Sequence, residues 1–335
     1  ASDGQEILDF AESNEANYAD INHLGTVSQN DTYMRKHIDT LLAHPLVDVE
    51  AIQAKRFKIV VDAINSTGAT FVPALLNALG VENVVLINGE VNGNFAHNPE
   101  PLPEHLIELS KTVVKQKANL GISVDPDVDR LVFMCEDGEV FGEEYTLVAV
   151  SDYVLSKRPG NTVSNLSSTR ALRDVTAKYG GEYHAAAVGE VNVVEKMKAV
   201  KAVIGGEGNG GVILPELHYG RDALVGIALF LSHLANCGKQ ISTLRKTYPE
   251  YQMSKTKLDR TPDIDLNKIF AALREKYRNE QINTEDGLKI DFDSGWVHLR
   301  PSNTEPIIRV YSESNSIVVA ENLAKKIIQD IQTFR

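Results

Sequence analysis

Asp125-Pro-Asp-Val-Asp-Arg130 sets three carboxylates, Asp125, Asp127 and Asp129, at alternate positions of a sharp loop between the apolar runs GISV and LVFMC. Hard divalent cations take oxygen ligands, and three anionic groups this close are costly unless a cation neutralises them. A solvated acidic turn is the plain alternative. The apolar flanks weigh against it, because they make a buried strand–loop–strand setting in which unpaired charge is expensive. An EF-hand would need glycine at the sixth loop position, which is Arg130 here, so that geometry is excluded. A phosphatase with an aspartyl nucleophile also places DxD after a strand and stays a competitor, although its strand comes early in a single Rossmann-like domain.

Gly205-Gly-Glu-Gly-Asn-Gly-Gly211 follows the apolar run KAVI. Glycine at this density allows close backbone approach, while Glu207 and Asn209 offer an acceptor and a donor for hydroxyl groups. Taken alone, such a turn is more often plain chain reversal than a binding site. It is not a P-loop, since no Lys-Ser/Thr follows, and VIL continues as a strand rather than as the helix of a GxGxxG site. Arg300-Pro-Ser-Asn-Thr-Glu-Pro306 lies between WVHL and IIRV. Arg300 supplies a bidentate fork, Ser302, Asn303 and Thr304 add donors, and the loop amides can form a nest for a phosphate dianion. A polar hairpin without a ligand is the alternative.

The elements that must position these loops are legible from periodicity. Strands are expected at Phe57–Asp62, Val84–Ile87 and Leu120–Val124, with helices at about Ala69–Leu79 and Glu104–Lys117. The rhythm restarts with a helix at Thr146, then strands at Thr162–Asn165, near Glu182–His184 and at Ala202–Ile204, with helices from Arg170 and Glu190. Alternation of this kind implies βαβ units and mainly parallel sheets. After Tyr248 one helix (Leu266–Lys276), strands at Leu288–Asp291, Trp296–Leu299 and Ile307–Ser312 and a C-terminal helix read as an α+β domain. Alternation around Trp296 suits a sheet with one covered face. The fold class expected is therefore α/β, two successive mixed or parallel sandwich domains followed by a C-terminal α+β domain. Residues 1–50 read as helical pieces without a complete core.

With 335 residues the chain is long enough for two or three domains, and its formal charge of −12 argues against sequence-independent nucleic-acid binding. Cys135 and Cys237 cannot make a disulfide framework, which points to a reducing compartment. The acidic N-terminal stretch lacks signal-peptide features, and no apolar run approaches the roughly 20 residues of a membrane span. The expectation is a cytoplasmic protein without nucleic-acid or membrane partners.

Taken together and in this order, DPDVDR, GEGNGG and RPSNTEP resemble the α-D-phosphohexomutase family, over nearly the whole chain. The resemblance implies Mg²⁺ on Asp125, Asp127 and Asp129, with Arg130 beside the reacting phosphate. It further implies a sugar loop with Glu207 and Asn209, and a phosphate loop with Arg300, Ser302, Asn303 and Thr304. Residues 41–140, 141–249 and 250–335 would be the family's domains two to four, and residues 1–40 the end of domain one. The implied reaction moves a phosphoryl group between the 1- and 6-positions of a hexose phosphate through a hexose 1,6-bisphosphate. A phosphoserine in a Ser-His-Asn-Pro setting of domain one would carry that group. Here Phe95-Ala-His-Asn-Pro99 comes nearest and has Ala96 in the serine's place, so a longer gene product with the serine upstream is expected. A sugar phosphate is the expected partner, to a monomer or homodimer.

Sugar identity rests on less. Asn209 stands where the family more often has serine, and Val188-Gly-Glu-Val-Asn192 resembles a second sugar-facing segment. Glu190 there would suit an ammonium group, which makes glucosamine phosphate the first choice; a glutamate that merely caps a helix N-terminus is the alternative. Arg221 and Asp222 are expected to line the same domain. Glucose or mannose phosphate specificity, a phosphosugar sensor without catalysis and a Mg²⁺-dependent phosphatase acting through Asp125 stay open.

Overall fold

The computed structural model describes residues 2–13, 18–259, 265–302 and 305–334. It forms two compact units, residues 1–37 and 38–335. The first contains helix α1 (Ser2–Glu12), a single 3₁₀ turn and the start of α2 (Tyr33–Leu42). None of its described residues is buried, but Ile38, Leu41, Leu46 and Val47 are buried in the second unit, so the stretch expected to lack a core ends at residue 37 rather than at 50. The second unit begins inside α2 at Ile38 and continues into α3 (Val49–Lys55). There the Asp48 carboxylate accepts the Ala51 N–H and caps the helix.

Two α/β layers follow. The first is built from β1 (Lys58–Asp62), α4 (Gly68–Ala78), β2 (Asn83–Ile87), α5 (Ile107–Gln116), β3 (Leu120–Val124) and β4 (Leu131–Met134). Its sheet runs β2-β1-β3-β4; β1 is parallel to β2 and β3, and β4 is antiparallel to β3. The second comprises α6 (Glu143–Lys157), β5 (Thr162–Asn165), α7 (Ala171–Lys178), β6 (Tyr183–Ala186), α8 (Glu190–Val200), β7 (Ile204–Glu207) and β8 (Gly211–Ile213). Its order β6-β5-β7-β8, with β7–β8 antiparallel, repeats the plan of the first. In both layers the third strand turns back through a loop into an antiparallel neighbour. The Asp125 loop and the Glu207 loop are these two equivalent turns.

Helices α9 (Ala223–Cys237) and α10 (Ile241–Arg245) close the second layer. Apolar on almost every side, α9 is buried along nearly its whole length, as such a helix must be in water. Among the described residues no helix is long and apolar enough to cross a membrane. The last layer contains β9 (Gln252–Asp259), α11 (Leu266–Lys276), β10 (Gln281–Asn283), β11 (Leu288–Phe292), β12 (Gly295–Pro301), β13 (Ile307–Ser314) and α12 (Ile317–Thr333). Its five strands are antiparallel in the order β10-β11-β12-β13-β9, and Ile269, Leu273, Ile327 and Ile331 pack its core.

The structure departs from the sequence expectations in three places. Strand β7 begins at Ile204, so Gly205, Gly206 and Glu207 are strand residues and only 208–210 form the turn. A Cβ on Gly205 would lie 2.7 Å from the Val163 carbonyl oxygen on the neighbouring strand, so glycine serves packing there rather than a loop. Second, α9, α10, β9 and β10 have no counterpart in the expected elements. Third, β12 is covered on both faces from Gly295 to Leu299. The outer face meets the second α/β layer: Lys289 Nζ donates to the Leu166 carbonyl at 2.8 Å and Ser167 Oγ lies 2.9 Å from His298 Nδ1.

Candidate functional site

Strands β3 and β4 are wholly buried, and the turn between them holds Asp125, Asp127 and Asp129. One carboxylate oxygen from each lies within 4.8 Å of the others. Asp125 Oδ1 accepts the backbone N–H groups of Asp129 (3.1 Å) and Arg130 (3.0 Å), which folds the loop around it. Val128 sits at φ 60, a left-handed conformation that is strained for a β-branched residue. Its carbonyl accepts the Ala223 N–H at 3.0 Å, at the start of α9, and this bond holds the turn in place.

Electrostatics mark the loop as incomplete without a cation. Burial, then the neighbouring Asp129 and Asp127, push the Asp125 carboxyl up to about 7. Asp129 Oδ1 is buried without a hydrogen-bond partner. Arg130 Nε stands 3.5 Å from Asp125 and 3.8 Å from Asp129, and Arg221 Nη2 bonds Asp129, so two guanidinium groups face three carboxylates. An oxygen-liganded divalent ion fits this donor set. In the metal-free chain the folded state holds a proton on Asp125 that the unfolded state releases near pH 4. Stability should therefore fall as pH rises from about 4 through about 7. Mg²⁺ binds the ionised form, so it should raise the melting temperature more at about pH 8 than at about pH 5. An equal gain at both pH values, read by calorimetric melts with and without Mg²⁺, would discard the three-aspartate site.

The second turn is locked to the first. A Cβ on Gly210, which has φ +90, would meet the Leu131 carbonyl oxygen at 2.3 Å, and Leu131 N–H donates to the Gly210 carbonyl at 3.2 Å. Glycine is required here so that the two loops can touch. Glu207 is almost fully buried and held by Asn165 Nδ2 (2.9 Å), the Gly189 N–H (3.3 Å) and Arg221 Nη1 (2.6 Å). Asn209 Oδ1 accepts the Gly211 N–H at 3.2 Å, leaving its amide group as the donor.

Arg221 joins the loops: Nη2 bonds Asp129, Nη1 bonds Glu207, and Nε is 3.7 Å from Glu190. Glu190, the first residue of α8, also accepts the Arg221 N–H at 2.9 Å. Asp222 caps α9 through the Val225 N–H and lies 2.9 Å from His218 Nε2.

The third group comes from the last layer. Arg300 Nε is 2.8 Å from Asp286 Oδ2. Across the ladder Arg300 is the register partner of Arg309. Like charges directly opposite are destabilising, and each of these has a carboxylate beside it, Asp286 for Arg300 and Glu305 at 3.8 Å for Arg309. Ser302 N–H donates to the Ile307 carbonyl at 3.0 Å. Asn303 and Thr304 lie outside the described residues.

These elements enclose a cleft of about 430 Å³. Arg130 from the first turn, Glu207 and Asn209 from the second, and Arg300 from the third line it together. Asp125, Asp127, Asp129, Glu190, Arg221, Asp222 and Ser302 are not among its lining residues. Lining residues that sequence reasoning missed include Arg309, Lys255, Glu144, Ser167 and His298. Arg309 had a readable signal, a cation amid the apolar residues of IIRV. The Phe95–Pro99 segment belongs to the first layer, where His97 Nε2 lies 3.0 Å from Asp62 and that carboxylate raises the pKa of the imidazole.

Domain profiles of one family match this chain in sequence. They are phosphoglucomutase/phosphomannomutase alpha/beta/alpha domain II over residues 35–138, domain III over 142–251 and the C-terminal domain over 258–329. The chain belongs to the phosphoglucomutase/phosphomannomutase family. A phosphoglucomutase/phosphomannomutase of Thermococcus kodakarensis is 36% identical over 88% of this chain. A phosphoglucosamine/phosphogalactosamine mutase of Sulfurisphaera tokodaii is 32% identical over 90% of it. Among solved structures, a phosphoglucomutase/phosphomannomutase family protein of Burkholderia thailandensis superposes with a TM-score of 0.73 at 27% identity, over 85% of this chain. The chain spans 64%, 68% and 63% of the lengths of these three proteins.

Proposed function

We propose that this chain forms the metal, sugar and phosphate sites of a phosphohexomutase that interconverts the 1- and 6-phosphates of a hexosamine, with glucosamine phosphate as the preferred substrate. The supporting observation is the single cleft onto which Arg130, Glu207, Asn209 and Arg300 converge from three separate layers. The amino-sugar preference draws on the Sulfurisphaera tokodaii relative's name. It does not draw on Glu190, whose carboxylate is engaged by Arg221. Glucose and mannose phosphates form the second reading, favoured by the name of the Thermococcus kodakarensis relative.

In this mechanism Arg300 and Arg309, with donors of the 302–304 loop, hold the phosphate that is not reacting. Glu207 accepts from a sugar hydroxyl with its one remaining lone pair, and the Asn209 amide donates to another. Arg130 reaches the transferring phosphoryl group and offsets its charge, the main contribution a protein makes to phosphoryl transfer. Asp125, Asp127 and Asp129 would hold Mg²⁺, which when bound supplies further charge neutralisation. A phosphoserine from the family's first domain would donate the phosphoryl group and later recover one from the bisphosphate. A phosphatase acting through Asp125 is disfavoured, because that carboxylate is buried and spends Oδ1 on two backbone donors.

Calorimetric titration with glucosamine 6-phosphate, glucose 6-phosphate and mannose 6-phosphate, with Mg²⁺ present, tests the reading. Glucosamine 6-phosphate should bind tightest. Stronger binding of either neutral sugar would replace the amino-sugar assignment, and binding of none would remove the cleft from consideration as a phosphosugar site.

A further inference from the structure

Ser167 and His298 meet in the wall of the cleft from different layers. Ser167 precedes α7 and His298 lies on β12; both line the cavity, and Ser167 Oγ is 2.9 Å from His298 Nδ1. On the far side of the ring, Nε2 is 2.6 Å from the Asp286 backbone carbonyl. A carbonyl only accepts, so Nε2 must carry a hydrogen. The imidazole is 1% exposed, and burial pushes its pKa down to about 4, so the ring is neutral at physiological pH. A neutral ring protonated at Nε2 has a bare Nδ1, which must accept. The hydroxyl hydrogen of Ser167 is thereby committed to His298. The Ser167 backbone N–H is also spent, on Asn165 Oδ1 at 2.9 Å.

What Ser167 presents to the cleft is therefore an oxygen that can accept but not donate. The cleft wall also carries pure donors, Arg300, Arg309 and Lys255, together with the carboxylates Glu100, Glu143, Glu144 and Glu207. A phosphate dianion has only acceptors to offer, so it is drawn to the cations and turned away from Ser167. We propose that Ser167, with its hydroxyl oriented by His298, is a specificity-determining acceptor that binds a hydrogen-bearing group of the sugar, a hydroxyl or an ammonium, and so fixes which way round the phosphosugar lies. This assignment rests on the phosphosugar reading of the cleft. His298 is the positioning residue, and Asp286 fixes its tautomer while its carboxylate holds Arg300 and the Val188 N–H (3.0 Å).

The test compares wild type, Ser167→Ala and His298→Leu by calorimetry, with glucosamine 6-phosphate, glucose 6-phosphate and inorganic phosphate as ligands. Ser167→Ala should weaken both sugar phosphates about tenfold, the worth of one hydrogen bond, and leave inorganic phosphate unchanged. A larger loss for glucosamine 6-phosphate identifies the ammonium as the partner; equal losses identify a hydroxyl. In His298→Leu the Ser167 hydroxyl is free to donate, so inorganic phosphate should bind more tightly while the sugars weaken. Nitrogen-15 spectra of the wild-type chain should show His298 neutral and protonated at Nε2, a readout independent of any ligand. If wild type binds the sugars and Ser167→Ala binds them equally, this inference fails while the phosphosugar site stands. Should inorganic phosphate weaken with the sugars in Ser167→Ala, or the proton reside on Nδ1, it is overturned. If wild type binds no sugar phosphate, the parent reading fails and takes this one with it.

Discussion

Arg300→Ala should lower the affinity of the chain for a hexose 6-phosphate by about a hundredfold, while leaving its folding stability nearly unchanged. The size follows from a guanidinium fork making two charge-assisted bonds to one phosphate, each contributing about 1.5–3 kcal/mol. Part of the attraction survives in Arg309 and Lys255, which line the same cleft, so binding weakens without vanishing. Stability should hold because Arg300 faces Arg309 across the ladder, and removing it relieves a like-charge pair. Asp286, its other partner, keeps the Val188 N–H as donor. Arg300→Lys restores the charge but not the fork, and should recover only part of the loss. Calorimetric titration together with a melting curve measures both quantities. Wild-type affinity in Arg300→Ala would exclude this hairpin as the phosphate cradle.

The contrast between what the sequence disclosed and what it concealed has a physical origin. The three loops were readable because each packs its chemistry into six or seven consecutive residues, so local spacing alone brings Asp125, Asp127 and Asp129 together. The two α/β layers were readable because their strands are short apolar runs between amphipathic helices. Strand β7 was misplaced because glycine disfavours strands, and the need for it at Gly205 comes from the Val163 carbonyl on a neighbouring strand. Strand β9 escaped because six of its eight residues are polar or charged, with only Met253 and Leu258 apolar, and its ladder with β13 supplies most of what holds it. The cleft wall was hidden for a related reason. Arg309 stands beside Arg300 only through hairpin register, and Ser167 reaches His298 across 131 residues of sequence. Glu190 was legible as a helix-start glutamate, and its engagement by Arg221 fits that plainer reading more closely than a sugar contact.

Arg221→Met should cost the second unit about 3 kcal/mol and lower its melting temperature by roughly 6–12 °C. One guanidinium, only 15% exposed, is shared among Asp129, Glu207 and Glu190. Removing it leaves the buried Glu207 without a counter-charge and Asp129 with only the more distant Arg130, and truncating one partner of a buried pair typically costs about 3–5 kcal/mol. Glu207 retains Asn165 and Gly189 as donors, which puts the expected loss at the low end. Two further results separate this account from simple loss of packing. Mg²⁺ should recover part of the stability in Arg221→Met, because a cation on the aspartate loop neutralises Asp129. Adding Asp129→Asn to Arg221→Met should also recover part of it, because the stranded charge is then gone. If the double variant is no more stable than Arg221→Met and Mg²⁺ restores nothing, Arg221 acts through its hydrocarbon stem alone. The charge linking the aspartate turn to the glycine-rich turn would then be incidental to the fold.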